Sequence, residues 1–331
     1  MVFELSSLKQ LGELGVIRIM ERSFGTSRRA AVGFGDDISA VRFSNHRLAV
    51  LKTDMLVGST DVPLGMTLRQ AARKAVVANV SDLAAKGVRP YAGIVALGLP
   101  PTLTKKDAQQ IASGLREAAK KYGFPLVGGD TNESKDLVIS IALFGLIDER
   151  KLMLRSGAKI GDVIAVTGEF GSAPAGLRAV LNRMIRPEKL PRALSQAVYY
   201  PNAELDLGLR LGSTGAITAS IDSSDGLAWS LHQLSQMSRV GIRVETVPVS
   251  EAARRFAAVF GYDALDLALY GGEEYKLIVT VKPDLLRTAQ TAARGRLKPI
   301  GVVTKYSEGV RIAGMRGYSK IRMEGWEHFR R

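Results

Sequence analysis

The chain has 331 residues, 46 % of them apolar, with no cysteine and only three histidines. That length suits two domains, no apolar run reaches the roughly 18 residues of a membrane span, and disulfides, thiolate catalysis and sulfur-ligated metals are excluded. The formal charge of +14 admits nucleic acid as a partner, but the basic residues are scattered without aromatic interleaving and read as a solvated positive surface, one that would also attract small anions.

In chain order, "MVFELSSLKQLGELGV" carries Glu4 and lacks the basic flank and apolar core of a signal peptide, so a cytoplasmic protein is expected. "RLAVLKTDML" is a short buried-type strand ending in Thr53 and Asp54. "TLRQAARKAVVANVSDLAAKGVRP" predicts a helix: Thr67 and Gln70 form a capping box, Gly87 suits the left-handed C′ position and Pro90 stops it. Its expected apolar face is Leu68, Ala72, Ala75/Val76, Val80 and Leu83. A second capped helix runs from Thr104 to Gly123, followed by the strands "FPLVGGD" and "LVISIALFGL". The polar, basic stretch "DERKLMLRSGAKIGD" places an expected boundary after residue 148, giving domains 1–148 and 149–331. The second block opens with the strand "DVIAVTG" and a helix from "SAPAGLRAVLNRM". "ASIDSSDGLAWSL" reads as strand, turn, helix, and "LALYGGEEYKLIVTV" as helix end, glycine-rich turn, strand. Such alternation indicates α/β or α+β.

Carboxylates in this basic chain collect at turns: Asp36 and Asp37 in "GFGDDIS", Asp54 in "KTDML", Asp82 in "NVSDLAAKG", Asp130 in "VGGDTN", Asp222 and Asp225 in "DSSDGL", Glu273 and Glu274 in "GGEEYKL". Singly, each is accounted for by a turn or N-cap, where Asp bonds nearby backbone. Asp82 is different. It lies towards the C-terminal end of its helix, where the macrodipole disfavours an anion, beside a well-formed apolar stripe. A residue that breaks a local rule inside a consistent element points to function. The others stand at strand ends or helix-flanking turns, from which α/β scaffolds build sites. Brought together they would repel unless cations lay between them.

The donors are oxygen only, and His46, His232 and His328 lack metal spacing, which argues against zinc. Hard oxygen donors suit magnesium, which shares its coordination with substrate phosphates. The turns "GGD" and "SDGL" would let backbone N–H groups approach a phosphate closely. The residues therefore read as a magnesium–nucleotide site. No P-loop, dinucleotide fingerprint or H-R-D and D-F-G pair occurs, and "GEFG" at 168–171 reads as a plain tight turn.

Taken in order, "GDD", "TDMLV", "NVSDLAAKG", "VGGDT", "RSGAKIGD", "DSSDGL", "GGEEYKL" and "GWEHF" resemble the thiamine-monophosphate kinases. That family belongs to the ATP-binding superfamily of aminoimidazole ribonucleotide synthetase and selenophosphate synthetase. The resemblance implies an α/β (α+β) fold of two domains. The first would carry a small mixed sheet that pairs in a homodimer, and the second would be an α/β sandwich, with ATP in the cleft between them. It implies direct transfer of the γ-phosphate of ATP to thiamine monophosphate, with no phosphoenzyme, no covalent catalytic residue, and no nucleic-acid or membrane partner.

Carried over by position, Asp37, Thr53, Asp54, Asp82, Asp130, Asp222 and Asp225 would hold several magnesium ions, with Asp36 as a supporting partner. Gly129 and Ser224 would contact the nucleotide and Arg155 its phosphates, while Glu273 and Trp326 would contact thiamine. Arg155 is also readable as an exposed linker residue and Trp326 as a core residue; Glu274 is given no role. Many relatives have a histidine in a "GxHF"-like ending after the Thr-Asp motif. Here "VGSTDVP" puts Asp61 near that place, either as the replacement substrate contact or with the ligand held differently. Aminoimidazole ribonucleotide synthetase and a hydrogenase-maturation dehydratase are the enzyme alternatives. Selenophosphate synthetase normally uses an N-terminal Cys or selenocysteine, which this chain lacks. A basic nucleic-acid-binding protein with structural acidic loops is the non-enzymatic alternative.

Overall fold

A computed structural model describes residues 7–25, 27–315 and 317–326; Glu4, and the "GWEHF" motif beyond Trp326 with its His328, lie outside the described residues. The first half runs α1 (Leu8–Phe24), β1 (Ala30–Val32), β2 (Ser39–Ser44), β3 (Arg47–Val57), α2 (Gly58–Asp61), α3 (Leu68–Ala85), β4 (Pro90–Leu99), α4 (Lys105–Tyr122), β5 (Leu126–Glu133) and β6 (Val138–Asp148). Its strands form one mixed sheet in the order β1-β2-β3-β6-β4-β5, antiparallel except between β4 and β5.

The second half runs β7 (Val163–Val166), α5 (Ser172–Leu181), α6 (Arg192–Tyr199), α7 (Leu205–Gly212), β8 (Ile217–Asp222), α8 (Leu227–Ser238), β9 (Gly241–Val244), α9 (Glu251–Phe260), α10 (Ala264–Tyr270), β10 (Leu277–Val281), α11 (Leu286–Ala292), β11 (Lys298–Thr304), β12 (Val310–Gly314) and β13 (Gly317–Lys320). These strands form a second mixed sheet, β13-β12-β9-β11-β7-β10-β8, parallel only between β9 and β12. Among the described residues no helix is long and apolar enough to cross a membrane.

Pleating decides which residues of the first sheet can meet. Along β6, half-buried and buried side chains alternate without a break, as in a strand with one face on the core. Ile139, Ile141 and Leu143 point inward, and register places them beside Leu56, Asp54 and Lys52 of β3. Thr53 and Met55 belong to the opposite face, with Ile94 and Phe144.

Helix α3 begins as its sequence predicts, with a capping box between Thr67 and Gln70, and Gly87 follows it at φ +67°. The expectation of a single apolar face needs correcting: every residue except Leu68, Arg69 and Ala78 is buried. The cause is packing on several sides, by the first sheet, α4, α7 and β8. Glycines allow this crowding. A Cβ on Gly208 of α7 would stand 2.0 Å from Ala84 O, and one on Gly114 of α4 would stand 2.1 Å from Arg69 O. The main apolar cluster accordingly joins β6 and α3 to Leu207 and Leu211 of α7 and to Leu277 and Val279 of β10, so the core continues past the polar connection after residue 148.

Candidate active site

Where α3 meets the second sheet, three carboxylates from distant parts of the chain come together. Asp37 comes from the loop after β1, Asp82 from the last turns of α3, and Asp222 is the final residue of β8. All three are buried, and each offers an oxygen within 4.8 Å of the others. Ser81 Oγ donates to Asp222 Oδ2 at 2.6 Å, and Ser230 Oγ to Asp222 O at 2.9 Å, so the end of β8 is held from both sides. Asp54 and Asp225 stand nearby, close enough for their charges to act on Asp82 and Asp222 respectively.

Three cations are built into the group. Lys86 is fully buried; its Nζ lies 2.7 Å from both Asp36 Oδ1 and Asp37 Oδ2 and donates to Ser220 O, also at 2.7 Å. Lys52 forms an ion pair with Asp82 and lies 4.0 Å from Asp54 Oδ2. Arg155 donates to Asp37 through Nε at 2.8 Å and through Nη2, while its backbone N–H reaches Asp36 Oδ2 at 2.9 Å. Arg155 is thus part of the site, not an exposed linker residue. Among the described residues no ion pair reaches Asp222 or Asp225.

The charge balance sets the proton affinities. Burial pushes Asp37 upward, but Arg155 and Lys86 outweigh it and hold the carboxyl at about 2. For Asp82 burial wins: despite Lys52, and with Asp222, Asp37 and Asp54 adding repulsion, its pKa lies well above the carboxylate range. Burial, then Asp37, raises Asp222 to about 7. Burial, then Glu13, raises Asp225 to about 7. Buried carboxylates in excess of their cations are a poor structural device and a fitting ligand set for a hard divalent cation. Oxygen donors at this spacing, with Asp82 and Asp222 resisting ionisation without more positive charge, meet that requirement.

Not every expected ligand joins the group. Thr53 lies on the outward face of β3, where its Oγ1 donates to Ile141 O at 3.0 Å. Asp130 lies on the edge strand β5 and is exposed. The inward row Asp54–Ile141–Val95–Gly129 crosses three strand spacings, roughly 14 Å, and Asp130, one residue on, points the other way. The physical reason is pleating together with strand order, neither of which local motif spacing reveals. Gly129 has a packing requirement of its own, since a Cβ there would meet Val95 O at 1.8 Å.

The "DSSDG" turn ties the remaining motifs together. Ser224 O accepts from Glu273 N at 2.6 Å, Ser223 O from Glu274 N and Tyr275 N at 3.2 Å, and Asp225 O from Trp326 N at 3.1 Å. Glu273 and Tyr275 adopt φ of +64° and +51°, conformations disfavoured for non-glycine residues and concentrated at functional sites. Glu273 pairs with Lys74 of α3, whose Nζ also donates to Asp61 O at 2.9 Å. The Asp61 carboxylate accepts from Val57 N at 2.7 Å, so Asp61 adjoins Glu273 through Lys74 while its own carboxylate braces the turn. Trp326 is 39 % exposed, too open for a core residue.

Sequence reasoning missed Lys52, Lys86, Ser81 and Lys74, and gave Glu274 no role. The first three stand inside the motifs singled out for their aspartates. The i,i+4 pair Asp82 and Lys86 resembles a surface ion pair; the signal against that was the apolar stretch around it. Glu274 is buried and accepts from Gly171 N at the start of α5.

The chain is similar to known proteins over nearly its whole length. Residues 35–147, which contain Asp36, Asp37, Asp54, Asp82 and Asp130, match the family "AIR synthase related protein, N-terminal domain". The thiamine-monophosphate kinase of Nitrosopumilus maritimus is 32 % identical over 98 % of this chain and 100 % of its own length. That of Pyrococcus abyssi is 36 % identical over 89 % of this chain and 90 % of its own. The solved structure of AaThiL complexed with AMPPCP and TMP superposes with a TM-score of 0.85 at 28 % identity, covering 98 % of this chain and 99 % of that one. With full-length relatives above 30 % identity and the acidic motifs gathered on one fold, the chain belongs to the thiamine-monophosphate kinase family.

Proposed function

We propose that this chain transfers the γ-phosphoryl group of ATP to thiamine monophosphate, giving thiamine diphosphate and ADP. The observation that carries the reading is the buried meeting of Asp37, Asp82 and Asp222 in a chain whose full-length relatives are thiamine-monophosphate kinases. Asp37, Asp82 and Asp222 would hold magnesium, with Asp54 and Asp225 at the rim. Bound magnesium would neutralise the oxygens of both phosphates and hold them in line for transfer.

The chain's own residues orient and select. Lys86 fixes Asp36 and Asp37, and Ser81 fixes Asp222. Arg155 spends two of its five N–H donors on Asp37, leaving others for the nucleotide phosphates, beside Ser224. Glu273 Oε2 is buried and has no hydrogen-bond partner among the described residues, which suits it to accept from the aminopyrimidine of thiamine. Trp326 offers an aromatic face to the cationic thiazolium ring. Asp61 supports Glu273 through Lys74.

A homodimer through the outward face of the first sheet is part of the proposal. Leu51, Met55 and Ile94 lie exposed there, an apolar surface that calls for a partner. Thr53, Gly129 and Asp130 lie on or beside this sheet face and its β5 edge, so pairing would carry them towards the other subunit's site. Dependence on ATP goes with a cytoplasmic location.

The test is a turnover assay with ATP, magnesium and thiamine monophosphate, resolving products by chromatography. Equal yields of thiamine diphosphate and ADP, abolished by chelator, are expected. ATP hydrolysis or binding without thiamine diphosphate would reject this acceptor.

A further inference from the structure

Lys52 and Lys86 both place an ammonium among the carboxylates, but they are held very differently. Lys86 is fully buried, its Nζ 2.7 Å from three oxygens: Asp36 Oδ1 and Asp37 Oδ2 as ion pairs, and Ser220 O as the acceptor of its hydrogen bond. Enclosed by two carboxylates and a carbonyl and with no exposed surface, Lys86 is fixed. Lys52 rests on Asp82, and its next acidic oxygen, Asp54 Oδ2, is 4.0 Å away. Its side chain keeps 15 % exposure where that of Lys86 has none. A flexible four-carbon stem rooted on β3 at the rim of the site can swing towards solvent.

Asp82 is meanwhile one of the three carboxylates whose oxygens lie within 4.8 Å of one another. We propose that Lys52 is a tethered counter-ion of the metal-free protein, holding Asp82 until a divalent cation takes that carboxylate and displaces the ammonium. The inference rests on the magnesium reading of the site given above. One ammonium and a divalent ion cannot both lean on Asp82 without close repulsion between like charges. The divalent ion has the greater charge and accepts several oxygens at once, so Lys52 is the group that yields. Lys86 stays where it is, because two carboxylates hold it and it has no route to water. Releasing Lys52 lowers the apparent metal affinity, as any competing internal state does. In return, Asp82 is not left buried and unpaired when no metal is bound.

The test titrates magnesium by calorimetry into chelator-stripped wild type, Lys52→Met, Lys52→Arg and the surface control Lys106→Met, and follows thermal unfolding of the same samples. Lys52→Met is expected to bind magnesium at least tenfold tighter, to melt lower without metal and to gain more on adding it. Lys52→Arg and Lys106→Met are expected to bind no tighter than wild type. A second measurement needs no variant: acetylation of lysines in the wild-type chain, read by mass spectrometry with and without magnesium. Labelling of Lys52 is expected to rise severalfold with metal while Lys86 stays protected. Unchanged or weaker metal binding in Lys52→Met, or Lys52 labelling that does not rise, overturns the exchange while leaving the metal site standing. A wild-type chain that binds no magnesium overturns both.

Discussion

Glu274 is a carboxylate whose environment pulls in two directions. It sits over the first N–H groups of α5, which favour its ionised form. Burial opposes them and wins, moving the carboxyl from an ordinary 4.5 to about 7. The sign of the linkage follows. Below pH 4.5 the group is protonated folded or unfolded and contributes no pH dependence. Between 4.5 and about 7 the unfolded chain gives up its proton first, so stability falls as pH rises, by about 3 kcal/mol in all, and levels off above 7. In Glu274→Gln the uncharged amide keeps an oxygen for Gly171 N. Chelator-treated wild type should therefore lose stability relative to Glu274→Gln across that window, in urea unfolding at several pH values; parallel curves would show Glu274 ionised throughout. Little of this was legible beforehand. "GGEEY" displays two equivalent acids, and only the left-handed backbone at Glu273 and Tyr275 sends one to Lys74 and the other to α5. Non-glycine residues carry no local sign of that conformation. Asp82, by contrast, was legible, because an acid near a helix C-terminus beside an apolar stripe contradicts its surroundings.

Helix α3 carries Ser81, Asp82 and Lys74 and is followed at once by Lys86, so the precision of the site depends on how firmly this element is clamped. Its ends were readable from the capping box and Gly87, since caps are local chemistry. Its burial on nearly all sides was not, because that depends on α7, more than a hundred residues away. Gly208 makes the dependence testable. Replacing a helical glycine by alanine ordinarily stabilises by about 1 kcal/mol. Here the new Cβ would stand 2.0 Å from Ala84 O, and forcing backbone apart in a packed interior costs about 3 kcal/mol. The clash exceeds the propensity gain, so Gly208→Ala should melt several degrees lower than wild type in a thermal scan. A melting temperature that rose would mean that α7 is not pressed against α3.

At the scale of the whole molecule, the placement of Asp130 is the feature that one chain does not explain. Its motif matched in sequence, yet strand order puts it three spacings from Asp54 and on the outward side of an edge strand. No motif could have revealed this, because spacing along the chain says nothing about which strands lie between. The proposed dimer resolves it if each site takes Asp82 from one subunit and Asp130 from the other. Asp82→Asn and Asp130→Asn should each be nearly inactive alone, with the fold intact by circular dichroism. When equal amounts are unfolded together and refolded, random pairing makes half the dimers mixed. A mixed dimer has one site carrying both substitutions and one carrying neither. Half the dimers with half their sites restored gives roughly a quarter of wild-type turnover. No recovery, in a sample shown to contain mixed dimers, would mean that Asp82 and Asp130 serve the same subunit's site. The β5 edge would then have to bend towards α3 on binding substrate, a motion that hydrogen exchange along β5 would reveal.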